Sequence, residues 1–112
     1  MEYRQITDNY SVSGQITPDE IAAVKAAGFK SVICNRPDEE QPGQPSAASV
    51  GAAAQAAGLA FVHIPVISGQ ITADNVADQA AALDELQGPV FAYCRSGARC
   101  TNLYAMIQQS KG

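Results

Sequence analysis

The sequence predicts a single α/β domain, with a mostly parallel central sheet and helices on both faces. Short β-branched or aromatic runs alternate with longer, Ala-rich runs of helical spacing. The links between them are short, so successive parallel strands are joined by right-handed crossovers. At 112 residues, 46% hydrophobic and 16% charged, the chain amounts to one domain with enough apolar surface to bury a core.

The first strand is expected at Tyr10–Ser13. A helix follows with an explicit start: Thr17 as N-cap, Pro18 at the first helical position and Glu20 completing a capping box. Ile21 and Val24 supply its apolar face, and Gly28 is the expected stop. Ser31–Asn35 reads as a short buried strand built on Val32, Ile33 and Cys34. The run from Asn35 to Pro45 holds three prolines and several acidic residues, which makes it a surface loop. Ser46 then caps a helix to about Ala57, closed by Gly58. Ala60–Pro65 is the third strand, and Thr72 caps a helix to about Gln87, closed by Gly88-Pro89. Val90–Tyr93 is the last strand, and a helix from Arg99 or Cys100 to about Gln109 ends the pattern. Ser13-Gly14-Gln15-Ile16-Thr17 recurs as Ser68-Gly69-Gln70-Ile71-Thr72; with the flanks unmatched, this is one loop-to-helix solution used twice rather than a tandem repeat.

Composition narrows the partners. Seven basic residues face eleven acidic ones, for a net charge of −4. Binding a nucleic-acid backbone requires a basic face that displaces counterions, so nucleic acid is not an expected partner. No apolar run approaches the ~20 residues of a membrane span. Met1–Tyr10 carries Glu2, Arg4 and Asp8 without an apolar core, so no secretion signal is read there and a cytoplasmic location is expected. The cysteines, Cys34, Cys94 and Cys100, are odd in number and sparse, which reads as reduced thiols rather than a disulfide scaffold. With one histidine, His63, and no Cys-x-x-Cys pair, neither a metal nor another cofactor is expected.

The chemistry concentrates in Tyr93-Cys94-Arg95-Ser96-Gly97-Ala98-Arg99-Cys100. A cysteine ends an apolar strand, a glycine-containing turn follows, and a helix begins. Such a turn points successive amides at one spot and adds the positive end of the helix dipole. The same field favours thiolate over thiol, so Cys94 is the candidate nucleophile and Arg95, Ser96, Gly97, Ala98 and Arg99 its anion-binding loop. The carboxyl edge of an open parallel sheet is also where ligands bind.

Cys-Arg-Ser-Gly-Ala-Arg resembles the six-residue active-site loop of rhodanese sulfurtransferases, Cys-Arg-x-Gly-x-Arg/Thr. The rest of the chain resembles the beta-lactamase-hydrolase-like, phosphatase-like domain family, through Ser13-Gly14-Gln15, Gly28-Phe29, Val32-Ile33, Asn35-Arg36-Pro37-Asp38, His63-Ile64-Pro65 and Cys94-Arg95-Ser96-Gly97. That resemblance implies a fold similar to dual-specificity tyrosine phosphatases. It also implies a domain found alone or fused to sulfide- or persulfide-oxidising enzymes, so residues 1–112 read as one phosphatase-like or rhodanese-like domain excised from a larger fusion.

Fold and loop thus point in different directions. The phosphatase signature, His-Cys-x5-Arg, meets Tyr93 before the cysteine and Cys100 where its arginine belongs, with Arg99 one residue early. The segment Val66-Ile67-Ser68-Gly69-Gln70 lacks the aspartic acid that protonates a leaving alcohol, a group worth ~10²–10⁴ in rate. The loop therefore favours a sulfurtransferase that takes a sulfane sulfur from thiosulfate or glutathione persulfide as a Cys94 persulfide and passes it to sulfite or a thiol. The alternative is a phosphatase working through a Cys94 phosphoenzyme, and a third reading is a non-catalytic module that binds anions or persulfides. Cys34 is the candidate sulfur relay or resolving thiol, if it is not simply core. Arg36 either binds an anionic donor or pairs with Asp38, Cys100 caps the last helix or touches the site, and His63 is read as a structural, hydrogen-bonded residue of a buried strand.

Overall fold

The computed structural model describes residues 1–111. Five strands form one sheet in the order β1-β2-β5-β3-β4, comprising β1 (Arg4–Thr7), β2 (Tyr10–Ser13), β3 (Ser31–Cys34), β4 (Ala60–His63) and β5 (Val90–Tyr93). All neighbouring pairs are parallel except β1 with β2. The helices are α1 (Ile21–Ala26), entered through a 3-10 turn at Pro18–Glu20, α2 (Ala47–Ala56), α3 (Ala73–Glu85) and α4 (Ala98–Lys111). None of them is long and apolar enough to cross a membrane.

Alternation along the strands divides the core in two. Val32, Cys34, Phe91 and Tyr93 point to the face covered by α1 and α2, where they meet Ile21, Val24, Val50 and Ala54. Ile33, Val90, Ala92 and Cys94 point to the other face, with Tyr10, Val12 and Cys100, against Ala82, Leu83, Leu86 and Tyr104 of α3 and α4. The expected helix starts are present. The Ser46 hydroxyl accepts from the Ser49 amide, and the Thr72 hydroxyl accepts from the Asn75 amide while Asn75 returns a bond to the Thr72 amide. Thr17 and Glu20 make the predicted capping box.

Three expectations change. β1 escapes sequence pattern because Arg4-Gln5-Ile6-Thr7 is a half-exposed edge strand, covering what would otherwise be an open edge of β2. The strand beginning at Ala60 stops at His63 and is itself an edge: Ala60 and His63 are exposed. His63 is still structural, since its Nε2 lies 2.9 Å from the Arg36 carbonyl oxygen. Asn35 falls beyond β3, yet its amide continues the pairing by donating to the Tyr93 carbonyl at 2.8 Å.

Asn35 is also the hub of a buried polar network. Its side-chain amide donates to Gln79 Oε1 at 2.9 Å and to the Ile64 carbonyl at 3.0 Å, and its own Oδ1 accepts from Gln79 at 3.1 Å. Gln79 reaches on to the Tyr10 hydroxyl, which donates to the Cys100 carbonyl at 2.9 Å. Each buried polar atom left without its partner costs about 1–3 kcal/mol. Gln79→Leu is therefore expected to destabilise the protein by about 2–4 kcal/mol in urea unfolding, since it strands groups on both Asn35 and Tyr10; an unchanged midpoint would show that the network carries no stability.

Candidate active site

The carboxyl ends of β2, β5 and β3 bring the candidate residues to one edge. Cys94 directly follows β5, and its amide still donates to the Ser13 carbonyl of β2 at 3.2 Å. The chain then turns through Arg95 and Ser96 to Gly97, whose φ of +92° is left-handed, and enters α4. Ser96 Oγ accepts from the Ala98 amide at 3.3 Å, and Gly97 donates its amide to Cys94 Sγ at 3.1 Å. Gly14 backs the turn so closely that a Cβ there would stand 2.9 Å from the Arg95 carbonyl oxygen. With 1% exposure, Cys94 lies at the floor of this loop.

The local field makes Cys94 a thiolate. Its pKa is drawn down to about 5, first by a hydrogen bond from the Cys100 thiol, which outweighs the opposing effect of burial, and then by amides of Cys100, Ser96 and Arg99. Cys100 is fully buried and is pushed the other way by burial and by Cys94, so it keeps its proton and acts as donor.

Two arginines lie beside the loop, both buried and both joined to Glu40. Arg99 donates to the two Glu40 carboxylate oxygens at 2.8 and 2.9 Å and to the Val66 carbonyl at 2.8 Å. Arg36 donates to Glu40 at 2.8 Å, to Gln15 at 3.0 Å and to Gln41 at 3.1 Å. Paired first with Arg99 and then with Arg36, the Glu40 carboxyl is held down to about 2. Arg36, Glu40, Gln41, Ser68, Arg95 and Arg99 line a cavity of about 260 Å³, with Arg95 exposed at its rim. Among the described residues, no cluster of His, Cys, Asp and Glu is placed to hold a metal ion.

The structure thus gathers Cys94, Arg95, Ser96, Gly97, Ala98, Arg99, Arg36 and Cys100 at one place. Cys34 is separated from them: it packs with Tyr93 on the opposite face of the sheet, its thiol turned to the Arg36 carbonyl at 3.4 Å and pushed up by burial. Arg36 pairs with Glu40 and not with Asp38, whose Oδ1 instead accepts from the Ala47 amide at the start of α2. Glu40, Gln15 and Gly14 were not predicted from the sequence. The repeated Ser-Gly-Gln marks Gly14 and Gln15, which back the turn and meet Arg36, and Ser68 of the second copy also lines the cavity; nothing marks Glu40 among its acidic neighbours.

Comparison with known proteins agrees over the whole chain. Residues 2–111 match the family model described as beta-lactamase hydrolase-like protein, phosphatase-like domain. Beta-lactamase hydrolase-like proteins of Agrobacterium fabrum and Xylella fastidiosa are 37% and 36% identical over 112 residues, all of this chain and 26% of theirs. The chain therefore spans about a quarter of the length of these curated relatives. A candidate phosphatase from Neisseria meningitidis superposes with a TM-score of 0.89 at 31% identity, covering 97% of this chain and 78% of that one. The core catalytic domain of a PP-IP phosphatase from S. cerevisiae, in complex with citrate, shares the fold with a TM-score of 0.73 at 13% identity, over 96% and 64% of the two chains.

These findings overturn the sulfurtransferase expectation, and with it the sulfur donor, the acceptor and the relay through Cys34. That expectation rested on six residues of loop sequence and on the missing acid in Val66–Gln70, while the family match and the neighbouring fold are phosphatase-like over the whole chain. Arg99, expected to bind a substrate's anionic groups, instead donates to Glu40 and to the Val66 carbonyl.

Alkylation by iodoacetamide reads the thiolate directly. The rate at Cys94 should rise with pH through a midpoint of about 5, as the thiol loses its proton. Cys100→Ala removes the leading stabiliser and should move that midpoint upward, whereas Cys100→Ser retains a donor and should move it less. A midpoint near that of free cysteine, ~8.5, in the wild type would contradict the assignment.

Proposed function

Because this chain belongs to the beta-lactamase hydrolase-like, phosphatase-like domain family, we propose that it is a cysteine-dependent phosphatase, hydrolysing a phosphate monoester through a phosphorylated Cys94. The observation that carries the reading is the Cys94 sulfur, acidified on the floor of an amide-lined loop at the carboxyl edge of the sheet.

In the first half-reaction the Cys94 thiolate attacks phosphorus. An S–P bond forms, the bond to the ester oxygen breaks, and the alcohol leaves. Amides of Arg95–Arg99 and the N-terminus of α4 face the charge on the phosphoryl oxygens, as preorganised donors do for a developing anion. Arg95, exposed at the rim, supplies a positive charge to the incoming substrate; Arg99, fixed by Glu40, supplies one from within the same cavity. In the second half-reaction water attacks phosphorus, the S–P bond breaks, inorganic phosphate departs, and Cys94 returns as the thiolate that Cys100 stabilises.

Protonation of the leaving group limits the substrates. Ile64–Thr72 carries no carboxylate, and Asp74 is exposed in the first turn of α3, where the helix dipole accounts for it. Glu40, held at about 2, stays ionised at neutral pH and does not donate a proton. Substrates whose alcohol leaves readily as an anion, aryl phosphates above all, are the ones this site suits. We also assign the chain as one domain working within a longer protein, a reading that the greater length of its relatives supports.

Phosphate release from p-nitrophenyl phosphate is the direct test. The wild type should turn it over and Cys94→Ser should not, with alkyl phosphates slower by roughly the ~10²–10⁴ that a missing general acid forfeits. Equal release by Cys94→Ser, or phosphate binding by the wild type without turnover, would overturn the proposal.

A further inference from the structure

The sheet has two edges, and they are built differently. At one, β1 carries Arg4 and a register shift between Gln5 and Thr7, features that discourage a further strand from pairing. At the other, β4 reads Ala60-Phe61-Val62-His63, paired residue for residue with β3 and with no lysine, proline or bulge. The amides of Ala60 and Ile64 donate to the Lys30 and Cys34 carbonyls at 3.2 and 2.9 Å, so strand alternation turns the N–H and C=O groups of Phe61 and His63 outward. Among the described residues no strand pairs with that side. The edge is held from both faces: a Cβ at Gly51 of α2 would stand 2.7 Å from the Phe61 ring, and Val62 packs with Ala82 and Leu86 of the α3 layer. Beside it, between β4 and α3, runs a groove of about 550 Å³. Its apolar lining includes Val62, Ile64, Ala82 and Leu86, and Asp78 and Glu85 line it as well, both exposed. Among the described residues neither carboxylate has a salt-bridge partner.

We propose that β4 and this groove dock an extended segment of a partner protein, which pairs with β4 as an added strand and sets basic side chains, on either side of an apolar one, against Asp78 and Glu85. Outward groups of Phe61 and His63 supply main-chain hydrogen bonds, and Pro65, with no amide to donate, ends the edge. Charge selects the occupant. In a guest reading Lys-x-apolar-x-Lys, alternate residues share the α3 face and the two lysines stand about 13 Å apart. Asp78 and Glu85, two turns apart on α3, are separated by about 10 Å, a difference that lysine side chains span. A second copy of this chain fits worse. Pairing β4 with β4 about a two-fold axis would lay one acidic stripe beside the other, in a chain whose net charge is already −4. Because β4 is ordered between two helices before the guest arrives, little of the binding free energy is lost to organising the site.

The probe is an acetylated, amidated Lys-Thr-Val-Thr-Lys peptide, titrated at low salt into the isotope-labelled chain and followed by NMR. Amide shifts should move saturably at Phe61 and His63 and along α3 from Asp78 to Leu86, and stay still in the Arg95–Arg99 loop. The double variant Asp78→Asn, Glu85→Gln should bind roughly three- to tenfold more weakly, the scale of two exposed ion pairs, with the rest of its spectrum unchanged. Two further peptides, each N-methylated at one alternate set of amides, separate strand pairing from charge alone. One should bind like the parent and the other should not bind, since only one set faces β4. The same affinity for both peptides, no saturable shift at β4, or undiminished binding by the double variant would overturn the inference. So would a dimer in sedimentation whose Phe61 and His63 amides are already protected from exchange, because the occupant would then be a second copy.

Discussion

The reciprocal amide pair between Asn35 and Gln79, with neither residue exposed, is the interaction on which the carboxyl edge of the sheet depends. Four strand ends meet there, each with a backbone group that its strand no longer satisfies. Asn35 takes up one from β5 and one from beyond β4, and its own carbonyl accepts the Val66 amide. Gln79 brings α3 to the same point, and through Tyr10 the network reaches the carbonyl of Cys100 in the first turn of α4. A low dielectric makes such a network costly to break and rigid when complete. The loop after Cys94 is thereby suspended between two fixed points: the end of β5, and a helix whose first turn is tied to β2.

Charge at the site follows from the same economy. The chain carries a net charge of −4, yet two buried guanidinium groups, Arg36 and Arg99, line the cavity beside the Arg95–Arg99 loop. Neither would tolerate burial alone. One carboxylate serves both: Glu40 accepts from Arg36 and from Arg99, so that the two cations and the single anion leave one net positive charge in the cavity they line. The arrangement also joins the Pro-rich loop after β3 to α4.

How much of this was legible in the sequence varied with the range of the forces involved. Local signals located the elements well. Caps at Thr17, Ser46 and Thr72 and the apolar runs at Val32-Ile33 and Val90-Phe91 mark helices and strands through chemistry within a few residues. Cys94 and its turn were legible for the same reason, since strand, glycine and helix start are contiguous. Edge strands were not: Arg4–Thr7 buries too little to show a pattern, and the strand at Ala60 reads as buried until its missing neighbour is seen. Contacts between distant segments were beyond reach. Nothing near Glu40 says that it will meet Arg99, and nothing near Gln79 says that it will meet Asn35. Assigning chemistry from the loop alone failed for a related reason: a short turn ending at a helix can cradle either a sulfur or a phosphoryl group.

The close contact at Gly14 links the loop to the amino-terminal end of the chain. Ser13, one residue earlier, donates its hydroxyl to the Glu2 carbonyl at 3.1 Å and its carbonyl oxygen accepts the Cys94 amide, while Arg4 reaches Thr101 of α4 at 3.0 Å. The first few residues are thus fastened to the Cys94 loop and to the first turn of α4. A tag, linker or domain appended at Met1 would pull on that fastening, whereas the far end of α4 lies three turns away from it. Fusions used to purify or immobilise this protein are better built on its carboxyl end.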